Sequence, residues 1–393
     1  MTTDQFEFVA VGGGPAALSA VRAYRDAGGT GELALVTDEG RVPYRRPPLT
    51  KELLRGEIDE SETALEDEFW FWREGVSVIS GRAMRLEAGA AEIVLAGGRT
   101  LRYRKCLIAT GSEPTRLPIP GADDPAVRVV RSLEDLHQLN RHLGPGEPAV
   151  VVGSGFIGCE IAASLRLRGH PVSLVSDEAA PNQRRLGQHA AWMIETWLRD
   201  AGVAVTLAAS VSAIERRDGE LHVTSDRGRL RAPVVVLATG VAPRSQLLAN
   251  RDLITDGGRV AVDSSMRTPI SGLFAAGDVA LAHNEAAGRR LAVEHWGDAL
   301  QQGEIAGSVA AGRSAAWDDV PGFWTTIGDH TVKYAAWGDG YDDCQVERSN
   351  LNDAFTVWYG RENAIVGVLS HNADDDYERG RALVRAGARW RSR

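Results

Sequence analysis

The 393-residue chain carries only three cysteines. Cys106, Cys159 and Cys344 stand far apart, and none makes a Cys-x-x-Cys or another close pair. That spacing gives no sign of a metal site or a redox dithiol, and each cysteine reads as a small buried apolar residue. Long hydrophobic runs are missing too: none approaches the ~18 residues of a membrane span. Positive charge is not in excess. Lys and Arg total 44 against 53 Asp and Glu, a net charge of −9 that argues against nucleic acid as a general partner. No basic-then-apolar leader precedes the first apolar segment, which predicts a cytoplasmic protein. What remains is ordinary for a soluble globular chain, at 44% hydrophobic and 25% charged. Its length predicts two or three domains.

Phe6 to Ala27 is the stretch around which the chain is organised. An apolar run, Phe8 to Val11, is short enough for a buried parallel strand. Gly12-Gly13-Gly14-Pro15-Ala16-Ala17 then turns the chain. A helical pattern follows with Leu18, Val21 and Tyr24 on one face, stopped by Gly28-Gly29. Gly12-x-Gly14-x-x-Ala17 is the dinucleotide-binding fingerprint. Gly12 permits the turn, and Gly14, next to Pro15, lets a pyrophosphate approach backbone N–H groups at the helix start. Ala17 keeps helix and strand close. The next strand, Leu33 to Thr37, ends at Asp38, 21 residues past Ala17. That spacing suits a ribose hydroxyl ligand.

Ala149 to Val175 repeats the unit with Gly153-x-Gly155-x-x-Gly158. Phe156 and Ile157 sit inside this fingerprint, and Glu160 lies just after it. Two fingerprints in one chain point to two dinucleotides face to face. After the strand Val172–Val175 come Asp177 and Glu178. A carboxylate there accepts from a ribose 2′-hydroxyl and repels a 2′-phosphate, so the second site is expected to take NADH. Arg184-Arg185 lie several residues later and do not occupy the strand end. A first-turn carboxylate such as Glu160 also suits the helix dipole.

Between the two fingerprints, Arg41 to Lys51 reads RVPYRRPPLTK, a stiff basic loop. Pro47-Pro48 can start a short helix over Leu49 to Leu54. Pro43-Tyr44-Arg45-Arg46-Pro47-Pro48-Leu49-Thr50-Lys51 resembles the flavin loop of the FAD-dependent pyridine nucleotide oxidoreductases. Within them it is similar to the branch of ferredoxin reductases and apoptosis-inducing factor. The resemblance implies that Asp38 binds the adenosine ribose of FAD, that Arg46 supports its phosphates and that Lys51 sits near flavin N5. It implies that Ala109-Thr110-Gly111 closes the first FAD segment and that Gly240 ends the repeat of that pattern in Val234 to Gly240. Thr268 to Asp278 resembles the second FAD signature, with Gly277 for close approach and Asp278 for a ribityl hydroxyl. Glu294-His295-Trp296 resembles the stretch beside the flavin ring, and Trp324 is implied to approach it. Glu160 is implied to reach the nicotinamide and to pair with Lys51. These two are the expected catalytic residues. No metal is expected, and the dithiol cysteines of the glutathione-reductase branch are absent.

The expected fold is α/β, with two Rossmann-like, glutathione-reductase-like dinucleotide-binding domains and a C-terminal α+β domain. The FAD domain is expected over 1–115 and 243–317, the NADH domain over 116–242 and the C-terminal domain over 318–393. The resemblance implies hydride transfer from NADH to FAD and onward electron transfer to a [2Fe–2S] ferredoxin of a cytochrome P450 or ring-hydroxylating dioxygenase system. The alternatives are an apoptosis-inducing factor-like NADH dehydrogenase using quinone or oxygen, and an NADH-sensing flavoprotein with a long-lived charge-transfer state. One departure bears on the acceptor. Phe323-Trp324-Thr325-Thr326-Ile327 replaces the reductases' Phe-Trp-Ser-Asp-Gln. Monomer and homodimer both stay open.

Three surface expectations complete the reading. Glu66 to Gly75 reads as an amphipathic helix with Phe69, Trp70 and Trp72 as packing residues. Short strands are expected at Thr331–Trp337, Asp343–Arg348, Ala354–Tyr359 and Ala364–Leu369. Arg381, Arg385, Arg389 and Arg393 fall on one face if a terminal helix persists, with Arg379 and Arg391 nearby. That face is a candidate dock for an acidic ferredoxin or an anionic membrane.

Overall fold

The computed structural model describes residues 4–349 and 353–390. Its first layer is a seven-stranded sheet. Val76–Ser80 at one edge, Leu33–Thr37, Asp4–Val11 and Thr100–Ile108 run parallel. Leu33–Thr37 and the C-terminal ends of Asp4–Val11 and Thr100–Ile108 are buried apolar runs because both faces are covered there. Leu273–Ala275 lies parallel to the end of Thr100–Ile108, so the chain returns to this sheet after a long excursion. Ser112–Pro114 and Val241–Pro243 pair antiparallel where the outgoing and returning chains pass each other.

Helix Pro15–Asp26 and helix Trp296–Ala310 pack against each other almost backbone to backbone. A Cβ on Gly303 would stand 2.2 Å from the Ala16 carbonyl oxygen, and one on Gly307 2.0 Å from that of Ala20. Only glycine allows this approach, which locks the first turn's helix in place.

The second layer is a five-stranded parallel sheet in the order Ala204–Thr206, Val172–Val175, Ala149–Val152, Val234–Leu237, Val127–Arg128. A three-stranded antiparallel sheet, Val211–Arg217, Glu220–Ser225 and Gly228–Ala232, covers one side. The third layer is a five-stranded antiparallel sheet ordered Gly322–Ile327, His330–Ala336, Ala364–His371, Phe355–Arg361, Asp343–Arg348, with helix Asp374–Arg385 against it. Its inner residues Ile327, Val332 and Phe355 share one apolar cluster with Ala149, Ile161 and Leu174 of the second layer. Tyr359 donates to the Leu186 carbonyl at 2.8 Å, which ties the last sheet to helix Gln183–Asp200.

Several local expectations need correction. The helix expected over Leu49 to Leu54 is a 3-10 turn, Pro47–Thr50, followed by one α-turn, Glu52–Arg55. The aromatic helix spans only Glu68–Arg73. Phe71 is its buried ring and Trp70 is partly buried, whereas Phe69 and Trp72 are 60% and 75% exposed. So short a helix has room for one inward aromatic. Cys106 and Cys159 are buried, but Cys344 is exposed on the edge strand Asp343–Arg348.

The terminal arginines do not form one face. The helix stops at Arg385, Gly387 turns the chain with φ +57°, and Arg389 follows in an extended bridge to Ala364. Arg379 lies over the Trp358 ring, Arg381 over Tyr377, and Arg385 pairs with Asp318. Arg391 and Arg393 lie outside the described residues. Among the described residues no helix is long and apolar enough to cross a membrane.

Candidate active site

Both glycine turns are built the same way. Gly12 ends the first strand with φ +144°, and a Cβ there would lie 2.1 Å from the Ala109 carbonyl oxygen. Gly153 has φ +105°, and its Cβ would lie 2.4 Å from the Ala238 carbonyl oxygen. The next motif glycine is open in each case: a Cβ on Gly14 or Gly155 would meet nothing within 4 Å. Each therefore leaves a bare backbone concavity at a helix N-terminus, the shape a pyrophosphate needs. Ala17 is fully buried between helix and sheet. Gly158 backs on Gly153, where a Cβ would come within 2.1 Å of the carbonyl oxygen.

Both concavities open into one continuous cleft of about 1550 Å³. Gly12, Gly14, Pro15, Asp38, Arg46, Lys51, Ala109, Thr110 and Gly111 line it from the first layer, with Gly277, Asp278, Glu294, His295 and Trp296 from the returning chain. Gly155, Phe156, Ile157, Glu160, Glu178 and Gly240 line it from the second layer, and Trp324 from the third. Four predicted residues do not. Ala17, Gly153 and Gly158 pack behind the turns, and Asp177 lines a shallow side groove with Arg184. None of the three cysteines lines the cleft, and all are free thiols.

At the centre lies a buried ion pair. Lys51 Nζ donates to Glu160 Oε2 at 3.1 Å, with side chains only 7% and 5% exposed. Thr50 Oγ1 donates to the same oxygen at 2.5 Å, and Thr325 Oγ1 donates to Oε1 at 2.7 Å. All three layers thus meet at one carboxylate. Ser164, one helical turn beyond Glu160, donates to the Thr50 carbonyl at 2.7 Å and fixes the register of helix Phe156–Leu167 on the Pro47–Thr50 turn. A buried pair of this kind is costly unless further donors satisfy it, and here two hydroxyls do.

The first-layer end of the cleft carries a dense polar network. Arg46 pairs with Glu39 at 2.5 Å, donates to the Arg131 carbonyl at 2.8 Å and lies over the Tyr44 ring. Burial would lower its pKa, but Tyr44 and Glu39 raise it overall. Tyr44 donates to Glu39 at 2.5 Å, and burial holds its own pKa well above the ordinary value. Asp278 accepts from Ser112 at 2.6 Å and from Arg131 at 2.9 Å. Arg259 pairs with Glu294 and donates to the Asp278 carbonyl. Arg244 Nη1 stands 3.7 Å from Asp38, and its Nε stands 3.5 Å from Glu113. His295 Nδ1 lies 3.0 Å from Asp298, and its ring packs on Phe323.

The second-layer end is sparser. Asp177 is 68% exposed and stands 3.7 Å from an equally exposed Arg184. Glu178 is mostly buried, and its Oε2 has no hydrogen-bond partner. Of the two acids after the strand, Glu178 is the one aimed into the cleft. An orphaned buried acceptor there fits a ribose hydroxyl. The open glycines, the Arg244 guanidinium beside Asp38 and the unpartnered Glu178 Oε2 together fit two dinucleotides in one cleft.

Arg131, Arg244, Arg259 and Ser112 belong to no motif, and Thr325 stands in the Phe323-to-Ile327 stretch with nothing to mark its carboxylate partner. Each reaches the cleft through a tertiary approach. Arg131 precedes the capping box of helix Leu133–His142, and that box is its one local signal.

Comparison with known proteins agrees with this architecture. Residues 6–303 match the family description pyridine nucleotide-disulphide oxidoreductase, and residues 322–393 match a reductase C-terminal domain. Apoptosis-inducing factor 3 of Mus musculus is 30% identical over 93% of the chain, which spans only 60% of that relative's length. The ferredoxin–NAD(+) reductase component of the anthranilate 1,2-dioxygenase system of Burkholderia cepacia is 30% identical, covering 97% of this chain and 94% of that one. Among solved structures, the ferredoxin reductase for the CYP199A2 system of Rhodopseudomonas palustris superposes with a TM-score of 0.92 at 25% identity, over 99% of this chain and 96% of that one. The chain belongs to the pyridine nucleotide-disulphide oxidoreductase family, whose members bind flavin and pyridine nucleotide.

Proposed function

We propose that this member of the pyridine nucleotide-disulphide oxidoreductase family is an FAD-dependent NADH oxidoreductase that delivers electrons to a [2Fe–2S] ferredoxin. The ferredoxin would serve a cytochrome P450 or a ring-hydroxylating dioxygenase. The observation that carries this reading is the shared cleft: two dinucleotide cradles face one buried Lys51–Glu160 pair. Residues 1–115 and 243–317 form the FAD domain, 116–242 the NADH domain and 318–393 the cover. The bound FAD supplies the hydride acceptor and can release electrons one at a time to an iron–sulfur partner.

The chain's own groups then bind, orient and shield. Gly14 and Gly155 present backbone N–H groups to the two pyrophosphates. Asp38 and Glu178 take the adenosine riboses. Arg244 faces the first nucleotide, and the network of Arg46, Arg131 and Asp278 makes that end rigid. Lys51 directs its remaining N–H donors into the cleft, where a fixed cation favours negative charge on a reduced ring. Glu160 keeps Lys51 in place and lines the path of the nicotinamide. Phe323, Trp324 and His295 cover the ring. No protein thiol enters, because none lines the cleft.

The relatives named above support a ferredoxin acceptor. The match to apoptosis-inducing factor 3, with Thr326-Ile327 in place of Asp-Gln after Trp324 and Thr325, favours a second reading: an NADH dehydrogenase using quinone or oxygen. Anaerobic stopped-flow mixing with NADH or NADPH, then with a [2Fe–2S] ferredoxin or a quinone, separates the two. Fast bleaching by NADH with fast reoxidation by ferredoxin is expected. Reoxidation by quinone alone would favour the second reading, and a protein unable to take up flavin would overturn both.

A further inference from the structure

Glu160 is held by more than its lysine. Four residues, Thr50, Lys51, Glu160 and Thr325, are all buried and form one closed cluster. Lys51 and Thr50 share Oε2, whereas Thr325 donates to Oε1. Thr325 belongs to the strand Gly322–Ile327 of the third layer. Its neighbour Trp324 points the other way and is 46% exposed at the cleft mouth. Strand alternation thus puts a hydroxyl on the carboxylate and an indole on the surface from adjacent positions.

We infer that Thr325 is a positioning residue for hydride transfer: its hydroxyl keeps the Glu160 carboxylate aimed at Lys51, so the seating of the C-terminal sheet sets the geometry of the pair. This rests on the reading above, in which Lys51 stands beside the flavin.

The physical case is short. A buried carboxylate stays charged only if donors replace its lost water. Oε2 has an ammonium and a hydroxyl, while Oε1 depends on Thr325. Without that hydroxyl Oε1 is left unpaired and the carboxylate is free to turn, so Lys51 loses its fixed partner. No other titratable group can take over. The strands Gly322–Ile327, Ala149–Val152 and Val172–Val175 bring none. Arg55, on the short helix packed against Phe156–Leu167, is engaged by Glu57. Arg185, from helix Gln183–Asp200, lies over the Phe156 ring. The adjacent Cys159 thiol is pushed up by burial and by Glu160 itself, so it stays neutral. The cluster is self-contained, and one methyl-for-hydroxyl exchange should be felt at Lys51.

Thr325→Val keeps the shape and removes the donor, Thr325→Ser restores the donor, and Thr325→Cys weakens it. The first readout needs no turnover. The infrared carboxylate band of Glu160 in the oxidised holoprotein, assigned by its loss in Glu160→Gln, should shift in Thr325→Val. Thr325→Ser should match the parent. The second is the single-turnover rate of flavin reduction by NADH, read apart from the Kd for NADH, which should stay unchanged in Thr325→Val. The rate at neutral pH should fall roughly tenfold, with the serine variant restored. If Thr325→Val does not fold, Thr325→Cys should show the same shifts, smaller. An unshifted Glu160 band and an unchanged reduction rate in Thr325→Val would overturn the role of Thr325. A parent protein that NADH does not reduce would instead overturn the functional reading beneath it.

Discussion

The two dinucleotide cradles share a backbone design and differ in what surrounds it. Around the first, almost every polar group is already engaged. Glu39 holds Tyr44 and Arg46, Asp278 holds Ser112 and Arg131, and Arg259 braces Glu294. Around the second, the strand-end acid keeps a buried oxygen without a partner, and its neighbour Asp177 faces solvent. A prebuilt, rigid network suits a cofactor that stays, because little order is lost when it binds. A sparse site with one orphaned acceptor suits a nucleotide that enters, reacts and leaves. On the proposed function the same fingerprint serves a resident group in one layer and a substrate in the next, and the side chains beyond the glycines make the difference.

The sharpest way to break this comparison is to fill the open glycines one at a time. Gly14→Val should leave a protein that purifies without flavin yet still binds NADH by calorimetry. Gly155→Val should keep its flavin while the KM for NADH rises roughly tenfold or more. If either substitution disturbs both nucleotides equally, the cradles are not independent. A smaller effect sharpens the account of the orphaned acid. Glu178→Ala should lower the preference for NADH over NADPH roughly tenfold, read as the ratio of kcat/KM values, with flavin content unchanged. Asp177→Ala, at an exposed position, should barely move that ratio.

The smallest effect concerns how the third layer sits on the second. His330 stacks on Trp197 at 4.6 Å with His371 beside it. Burial, then His371, holds the His330 pKa below its ordinary 6.5. The folded state thus binds fewer protons than the unfolded chain as pH falls below 6.5. Stability is unaffected above that pH and is lost from there down to the folded pKa. His330→Phe keeps a ring on Trp197 and should flatten the fall in Tm between neutral and mildly acidic pH. An equal fall in the variant would clear His330 of the effect.

What was legible in the sequence follows the same division. Gly12, Gly14, Gly153 and Gly155 announce themselves because backbone sterics and phosphate approach admit almost no other residue. Asp38 and Glu178 are found by counting along the next strand. The expected α/β architecture with a C-terminal α+β layer is the observed one, because buried parallel strands read as apolar runs between turn signals. Lys51 and Glu160 lie 109 residues apart, and only a family resemblance joined them before the fold did. Arg131 and Arg244 were illegible, since an isolated arginine has no periodicity that marks a distant partner, and Thr325 was visible only as one residue of the stretch after Phe323, with nothing to mark the carboxylate it meets. Phe69 and Trp72 misled because apolar type predicts burial only where an element has a face to bury. The terminal arginines misled because four-residue spacing means one face only while the helix lasts.

The most direct test of the central claim, that both cradles serve a single hydride transfer across the Lys51–Glu160 pair, is anaerobic stopped-flow reduction by NADH carrying deuterium on the transferred face of C4. Bleaching of the flavin should slow with the labelled nucleotide in the parent protein and slow further in absolute rate, with the label effect retained, in Lys51→Met. Bleaching indifferent to the label, or unchanged by the loss of Lys51, would mean that the two nucleotides do not react across this pair.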